Sequence, residues 1–274
     1  MDPLAPELIG LIFQHIITDC DPRELANTFR TCCLVSRKWR EIAQPLLFSE
    51  YPRFREHSSE ELFRILDNQP HLQPHIKNLW IHTEVWFEEP LYKDMFRRLA
   101  PRLRTLVVTN QVTGGILGGI PLPISEAIIS CLSTNILTSL SFSEVIGFPI
   151  SIFYQLPCLR ELHLHASTPA GFSIHDADGK LKFEFYSTPR LGGLKPKLFH
   201  LFIEDANSDQ INILDWFIHV ECAFDVSELK TFHGFESPDS VWQALYISTI
   251  RQKFVKFVSS SLQNLALSEP GRLC

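Results

Sequence analysis

One apolar pattern recurs along most of this chain and limits what it can fold into. An apolar residue is followed by two variable positions, a second apolar residue, one variable position and a third apolar residue. The pattern stands at Ile76/Leu79/Ile81, Leu103/Leu106/Val108, Leu137/Leu140/Phe142, Leu159/Leu162/Leu164 and Leu198/Leu201/Ile203. It is weaker at Leu229/Phe232 and returns at Leu262/Leu265/Leu267. Successive starts lie 27, 34, 22, 39, 31 and 33 residues apart. The second half of each unit alternates with period two, as a strand buried on one face does. Between units lie segments of helical character: Tyr92–Leu99, Pro123–Leu132, Pro149–Gln155, Ser208–Val220 and Pro238–Val258. A short strand followed by a helix, repeated, predicts an α/β fold with parallel strands.

This pattern resembles the leucine-rich repeat, in which each strand-plus-helix unit buries its apolar side against its neighbours. The resemblance implies an irregular solenoid over residues 76–274, with parallel strands on its concave side and helices on its convex side. An ordinary α/β parallel sheet shares the same alternation. Such repeats usually carry Asn or Cys three positions after the third apolar residue; Glu84, Gln111, Val145 and Ser167 stand there instead. Coils lacking that side chain to bond the turn backbone are expected to be irregular. The 39-residue interval contains Phe172, Ile174, Asp178-Gly179, Leu181, Phe183 and Phe185, which alternate around a turn that favours positive φ. A β-hairpin over Gly171–Tyr186 is the expected insertion. Seven residues follow Leu267 with no polar capping repeat, so an apolar edge is expected at Leu262, Leu265 and Leu267.

The first 50 residues differ in character. Pro6–Ile17 carries Leu8, Leu11, Ile12 and Ile16 on one helical face and Ile9, Phe13 and Ile17 on a neighbouring one. An amphipathic helix needs a single apolar stripe of about 100°, so this helix has apolar area to spare. A unit this small cannot bury both faces by itself. A second helix, Arg23–Val35, opens at Asp21-Pro22, and a third follows Ser36, a residue suited to N-capping. Leu46, Leu47 and Phe48 are expected to end the unit as an extended apolar tail. Ser58 and Glu61 form a capping box for a connecting helix, which places a linker over residues 51–75. Residues alone allow either three core helices that cap the repeats or a docking module with an open apolar face.

Leu4-Ala5-Pro6-Glu7-Leu8 with Ile12, and Val35-Ser36-Arg37-Lys38-Trp39 within CCLVSRKWREIAQPLLF, resemble the F-box. That short helical module docks on the Skp-type adaptor of cullin-RING ubiquitin ligases. Ala5 departs from the proline usual at its position. Carried over by position, the resemblance implies that Leu4, Pro6, Leu8, Ile12, Leu34, Val35 and Trp39 line an adaptor contact. An F-box module joined to irregular repeats is similar to F-box/leucine-rich-repeat proteins, especially the divergent fungal sets. This implies a non-enzymatic substrate receptor of an SCF-type ligase, with a client protein bound by the repeats. A repeat scaffold with no ligase link is the alternative.

Composition excludes several other classes. The net charge of −6 and the lack of a basic run argue against nucleic acid. The first 13 residues have no basic n-region and contain Asp2 and Glu7, so they make a poor signal peptide. No apolar run approaches the roughly 20 residues of a membrane span. The seven cysteines, at positions 20, 32, 33, 131, 158, 222 and 274, show no zinc-like spacing and read as small hydrophobes of a reducing compartment. Cytoplasm or nucleus is the expected location. Gly114-Gly115 and Gly118-Gly119 are not followed by Gly-Lys-Ser/Thr, and no GxGxxG or GxSxG occurs. His163 and His165 flank Leu164 without an obvious third ligand, and Asp176 and Asp178 lack the other oxygens of a calcium loop. Neither metal nor cofactor is expected.

If the apolar residues of each strand face inward, the residues between them face a client. That assigns Trp80, His82, Glu161, His163, His165, His200, Phe202 and Glu204 to the binding face. The middle column runs Trp80, Val107, Ser141, His163, Phe202. A slip of one residue would exchange every inward and outward side chain.

Overall fold

The computed structural model describes residues 5–19, 22–50, 59–82, 98–109, 136–148, 150–165, 167–169, 195–206, 214, 216–218, 222–236 and 241–268. The chain divides into two compact units, Met1–Trp80 and Ile81–Cys274.

The first unit holds helices α1 (Pro6–Asp19), α2 (Pro22–Val35), α3 (Arg37–Glu50) and α4 (Ser59–Asn68), then a 3₁₀ segment, Pro70–His75. Ser36 separates α2 from α3 and caps the latter: its hydroxyl accepts the Trp39 N–H at 3.3 Å. Ile9, Phe13, Leu25, Phe29 and Ala43 form the core of α1–α3. Phe13 meets Phe29 edge-on at 5.3 Å and Trp39 at 5.5 Å. The extended tail expected at Leu46–Phe48 is instead helical, because α3 runs on through Pro45 to Glu50. An interior proline costs about 3 kcal/mol. Leu46 and Leu47, partly buried, help to offset that cost by packing against the Ile9/Phe13 core. Ser58 of the expected capping box lies outside the described residues.

The second architecture is α/β. Seven strands form one parallel sheet: β1 (Asn78–His82), β2 (Thr105–Thr109), β3 (Ser139–Ser143), β5 (Glu161–His165), β7 (His200–Ala206), β8 (Thr231–Glu236) and β9 (Asn264–Ser268), in that order across the sheet. Two short strands, β4 (Ile146–Phe148) and β6 (Thr168–Pro169), pair separately. Neighbouring strands align without offset: Leu106 faces Leu140, Leu140 faces Leu162, and Leu162 faces Leu201. In β2, β3 and β5 buried and half-buried residues alternate. The buried ones are the apolar residues of the repeating pattern, so the inward and outward faces follow the sequence register.

Behind the sheet the expected helices are met in part. Pro149–Gln155 becomes a 3₁₀ segment, Ile150–Gln155, and the last helix is α5 (Val241–Val258). The segment 123–132, nearly all of 92–99, and the expected hairpin at 171–186 lie outside the described residues. An aromatic cluster fills the core on this side. Phe153 lies 5.8 Å from Trp216 and 5.2 Å from Phe224, and Phe254 lies 4.9 Å from Phe232. The weak sixth unit has a steric cause. A Cβ on Gly234 would come within 3.1 Å of the Phe232 ring, so that ring occupies the place of the missing third apolar side chain.

The turns correct one expectation. Ser167, at a position where Asn or Cys is usual, does bond the turn backbone. It is buried, its Oγ accepts the Val145 N–H at 2.9 Å and donates to the His165 carbonyl at 2.8 Å. The His165 carbonyl also accepts the Glu144 N–H, and Glu144 holds a φ of 58°, the left-handed conformation that turns the chain there.

Candidate functional site

Two surfaces gather the residues singled out by sequence. The first lies on α1 and at the end of α2. Ile9 and Phe13 take the core, which turns Leu8, Leu11 and Ile12 outward, and their side chains are 49%, 60% and 39% exposed. Leu34 and Val35, in the last turn of α2, are 81% and 63% exposed. Large apolar side chains this open to water add little to the unit's own core. Trp39 differs from this group. It is half-buried, packs edge-on against Phe13 and supports the core. Leu4 and the Pro6 side chain lie outside the described residues, while Leu11 was not among the residues expected here. The helical period alone carried its signal, since it shares a face with Leu8.

The second surface is the outward face of the sheet. Parallel register sets Ser139, Glu161, His200 and Thr231 in one row and Ser141, His163, Phe202 and His233 in the next. In the middle row the His163 ring stacks on Phe202, with centroids 4.0 Å apart and planes 7° from parallel. Phe202 meets His233 at 4.8 Å. His163 Nε2 lies 2.8 Å from Glu161 Oε1. That hydrogen bond holds the Glu161 carboxyl below its ordinary value despite partial burial, helped by the nearby His200 and by the Ser139 hydroxyl. Glu161 is therefore a fixed anion that orients the imidazole, and the rings beside it form a half-buried apolar strip with polar edges. Trp80 is half-buried on β1, His165 is half-buried on β5, and the side chains of His82 and Glu204 lie outside the described residues.

His233 was missed because the sixth unit is irregular, yet counting from Phe232 places it in the same row as Phe202. Among the described residues, no cluster of His, Cys, Asp or Glu is arranged to hold a metal ion. Burial pushes the Cys222 thiol up to about 12, which leaves it protonated and inert at neutral pH. Burial likewise raises Cys32 and Cys33. Among the described residues, no helix is long and apolar enough to cross a membrane.

No family model, curated protein or solved structure matches the chain.

Proposed function

We propose that this chain is the substrate-recognition subunit of a cullin-RING ubiquitin ligase of SCF type. In this reading α1–α3 are an F-box-like module that docks on a Skp-type adaptor. The parallel strands belong to an irregular leucine-rich-repeat solenoid whose concave face binds a client protein. The chain then performs no chemistry of its own. It raises the concentration of client near a ubiquitin-carrying enzyme held elsewhere in the assembly.

The observation that carries the proposal is the apolar surface left open on the helical unit. Leu8, Leu11, Ile12, Leu34 and Val35 remain in water although α1–α3 already possess a closed core around Phe13 and Phe29. Fully burying an exposed leucine yields about 1.5–3 kcal/mol, and the share of each side chain still open to water here, about 40–80%, leaves several of them together a useful driving force for an adaptor. The half-buried aromatic strip at His163 and Phe202 supports the client-binding half of the reading, because interface anchors are commonly aromatic groups in partly desolvated settings.

The test is co-purification. The full chain expressed with a Skp-type adaptor should elute with it as one complex by size exclusion, and mutation of Leu8 and Leu34 to Asp should separate the two. A folded chain that elutes apart from the adaptor refutes the ligase assignment and leaves a repeat scaffold.

A further inference from the structure

The stacked rings on the outward sheet face leave one surface of the His163 imidazole uncovered by its neighbours in the row. Phe202 covers the other, with centroids 4.0 Å apart and planes 7° from parallel. The uncovered face looks across to Ser141, its register partner on β3, and then to Val107 on β2. A serine side chain is far shorter than an imidazole, so the ring stands above a shelf of small residues. The His163 side chain keeps 34% of its surface open to water. Glu161 borders the same shelf. It stands two residues before His163 on the same face of β5, and its Oε1 lies 2.8 Å from His163 Nε2. Its carboxylate therefore sits at one edge of the ring, and its side chain is 38% exposed.

Fixed charge on this face has one sign. From β2 to β9 the outward positions hold Ser, Thr, Asn, Val, Ala, Phe and His, with Glu161 and Glu204 as the carboxylates and no Lys or Arg. Lys77, Arg104, Arg160 and Lys230 each stand one residue before an outward position, out of phase with the face. Arg160 and Lys230 turn to the Phe199 ring, 5.5 and 5.1 Å from its centroid, and Arg160 Nη1 donates to the carbonyls of Leu159 and Lys197. The groups that hold the Glu161 carboxyl below its ordinary value are His163, His200 and Ser139, with no Lys or Arg among them. A carboxylate has about four acceptor positions, and His163 and Ser139 take two of these. Any client that covers the shelf takes this anion out of water, which is costly unless a cation replaces the water. The face carries no Lys or Arg to do so, and the client brings the cation.

Resting on the reading of this face as the client site, we propose that the client presents an arginine here. Its guanidinium lies flat on the uncovered face of His163 above Ser141, and its N–H groups donate to the Glu161 carboxylate. Spacing fits such a third layer. Adjacent strands stand about 4.8 Å apart, and the rings of His163 and Phe202 use one interval for their stack. The next layer falls over β3, where Ser139 and Ser141 leave room. Chemistry separates arginine from its competitors. An aromatic ring would stack but would cover the carboxylate without offering it a partner. A lysine ammonium is a strongly hydrated point charge with no plane to stack. Arginine combines a planar, weakly hydrated cation with a fork of donors matched to a carboxylate. The net charge of −6 acts in the same direction, since it attracts a basic segment at long range.

N-acetyl-arginine amide, titrated into the full chain at about pH 8, where a free imidazole is neutral, tests this by NMR of the His163 ring. The N-acetyl amides of lysine, citrulline and phenylalanine are the comparisons; citrulline keeps the shape of arginine without its charge. The arginine amide is expected to move the His163 ring signals saturably. It should bind at least about threefold more tightly than the citrulline amide, the effect of one exposed charge pair, and more tightly than the lysine amide. Glu161→Gln keeps an acceptor for His163 and should erase the preference for arginine over citrulline. Ser141→Leu fills the shelf and should block the arginine amide. A phenylalanine or lysine amide that binds as tightly as the arginine amide overturns the inference and keeps the face as a client site with another anchor. No shift from any of the four amides overturns both the inference and the client half of the reading. A preference for arginine that survives in Glu161→Gln, checked for unchanged melting, also overturns the inference. The comparison among amides decides on the parent protein alone should a variant fail to fold.

Discussion

Ser167→Ala removes an oxygen that serves two turns at once. In the parent its Oγ accepts the Val145 N–H and donates to the His165 carbonyl, at a site that is 1% exposed. The His165 carbonyl keeps the Glu144 N–H as a partner after the substitution, so its loss is small. Among the described residues the Val145 N–H shows no such second bond, and Val145 is itself fully buried. Stranding a buried donor costs about 1–3 kcal/mol, and alanine fills the site without a cavity large enough to add much. The expected destabilisation is therefore about 2 kcal/mol. Hydrogen exchange reads this locally. Protection of the Val145 amide should fall about thirtyfold, since each 1.4 kcal/mol is a factor of ten. In urea the midpoint should drop with an unchanged slope, the sign of lost stability without a change in exposed surface. A shift below about 0.5 kcal/mol, the ordinary range of surface substitutions, together with unchanged Val145 protection, would show that the hydroxyl does not hold the turn.

Other expectations concern the outward sheet face. Phe202→Ala removes two ring contacts, with His163 and His233. It should destabilise the protein by about 1–3 kcal/mol, at about 0.5–1.5 kcal/mol per aromatic pair. Thermal unfolding checks this, and an unchanged midpoint means that the rings do not pack in solution. Glu161 carries a depressed carboxyl, so its contribution to stability is present above the ordinary carboxylate range and is lost as pH falls through the lower folded value. Carboxyl titration by NMR should find this group below the free-glutamate value in the parent and raised in His163→Ala. No rise on removal of His163 contradicts the assigned hydrogen bond.

Strand positions were legible because the constraint behind them is simple. Leu106, Leu140, Leu162 and Leu201 had to be inward for any core to form, and period two then fixed Ser141, His163 and Phe202 as outward. The paired register confirms that parity. The surplus apolar area of α1 was legible for a similar reason, since one helix has only one inward face. What stayed hidden depends on tertiary contacts. Nothing local to Pro45 announces that α3 continues through it; the burial of Leu46 and Leu47 decides that. Trp39 and Leu34 both looked like interface residues, yet only packing against Phe13 separates the half-buried one from the exposed one. Residue type alone predicts the loss of a turn bond at Ser167, because serine stands where Asn is usual. A hydroxyl of shorter reach makes the bond when the neighbouring turn comes close enough.

Titration of the full chain against a purified Skp-type adaptor, followed calorimetrically, tests the central claim most directly. Leu8→Asp and Leu34→Asp should each cost at least about 2 kcal/mol of binding, the loss typical of an interface hot spot. Both should leave the melting temperature in place, because these side chains lie in water in the free chain. Phe13→Ala should instead lower the melting temperature, at about 3–5 kcal/mol for a buried aromatic. Saturable binding lost in the two surface variants is the result the account predicts. An adaptor that shows no saturable heat at two well-separated temperatures and does not co-elute with the chain, or that binds both variants as tightly as the parent, contradicts it.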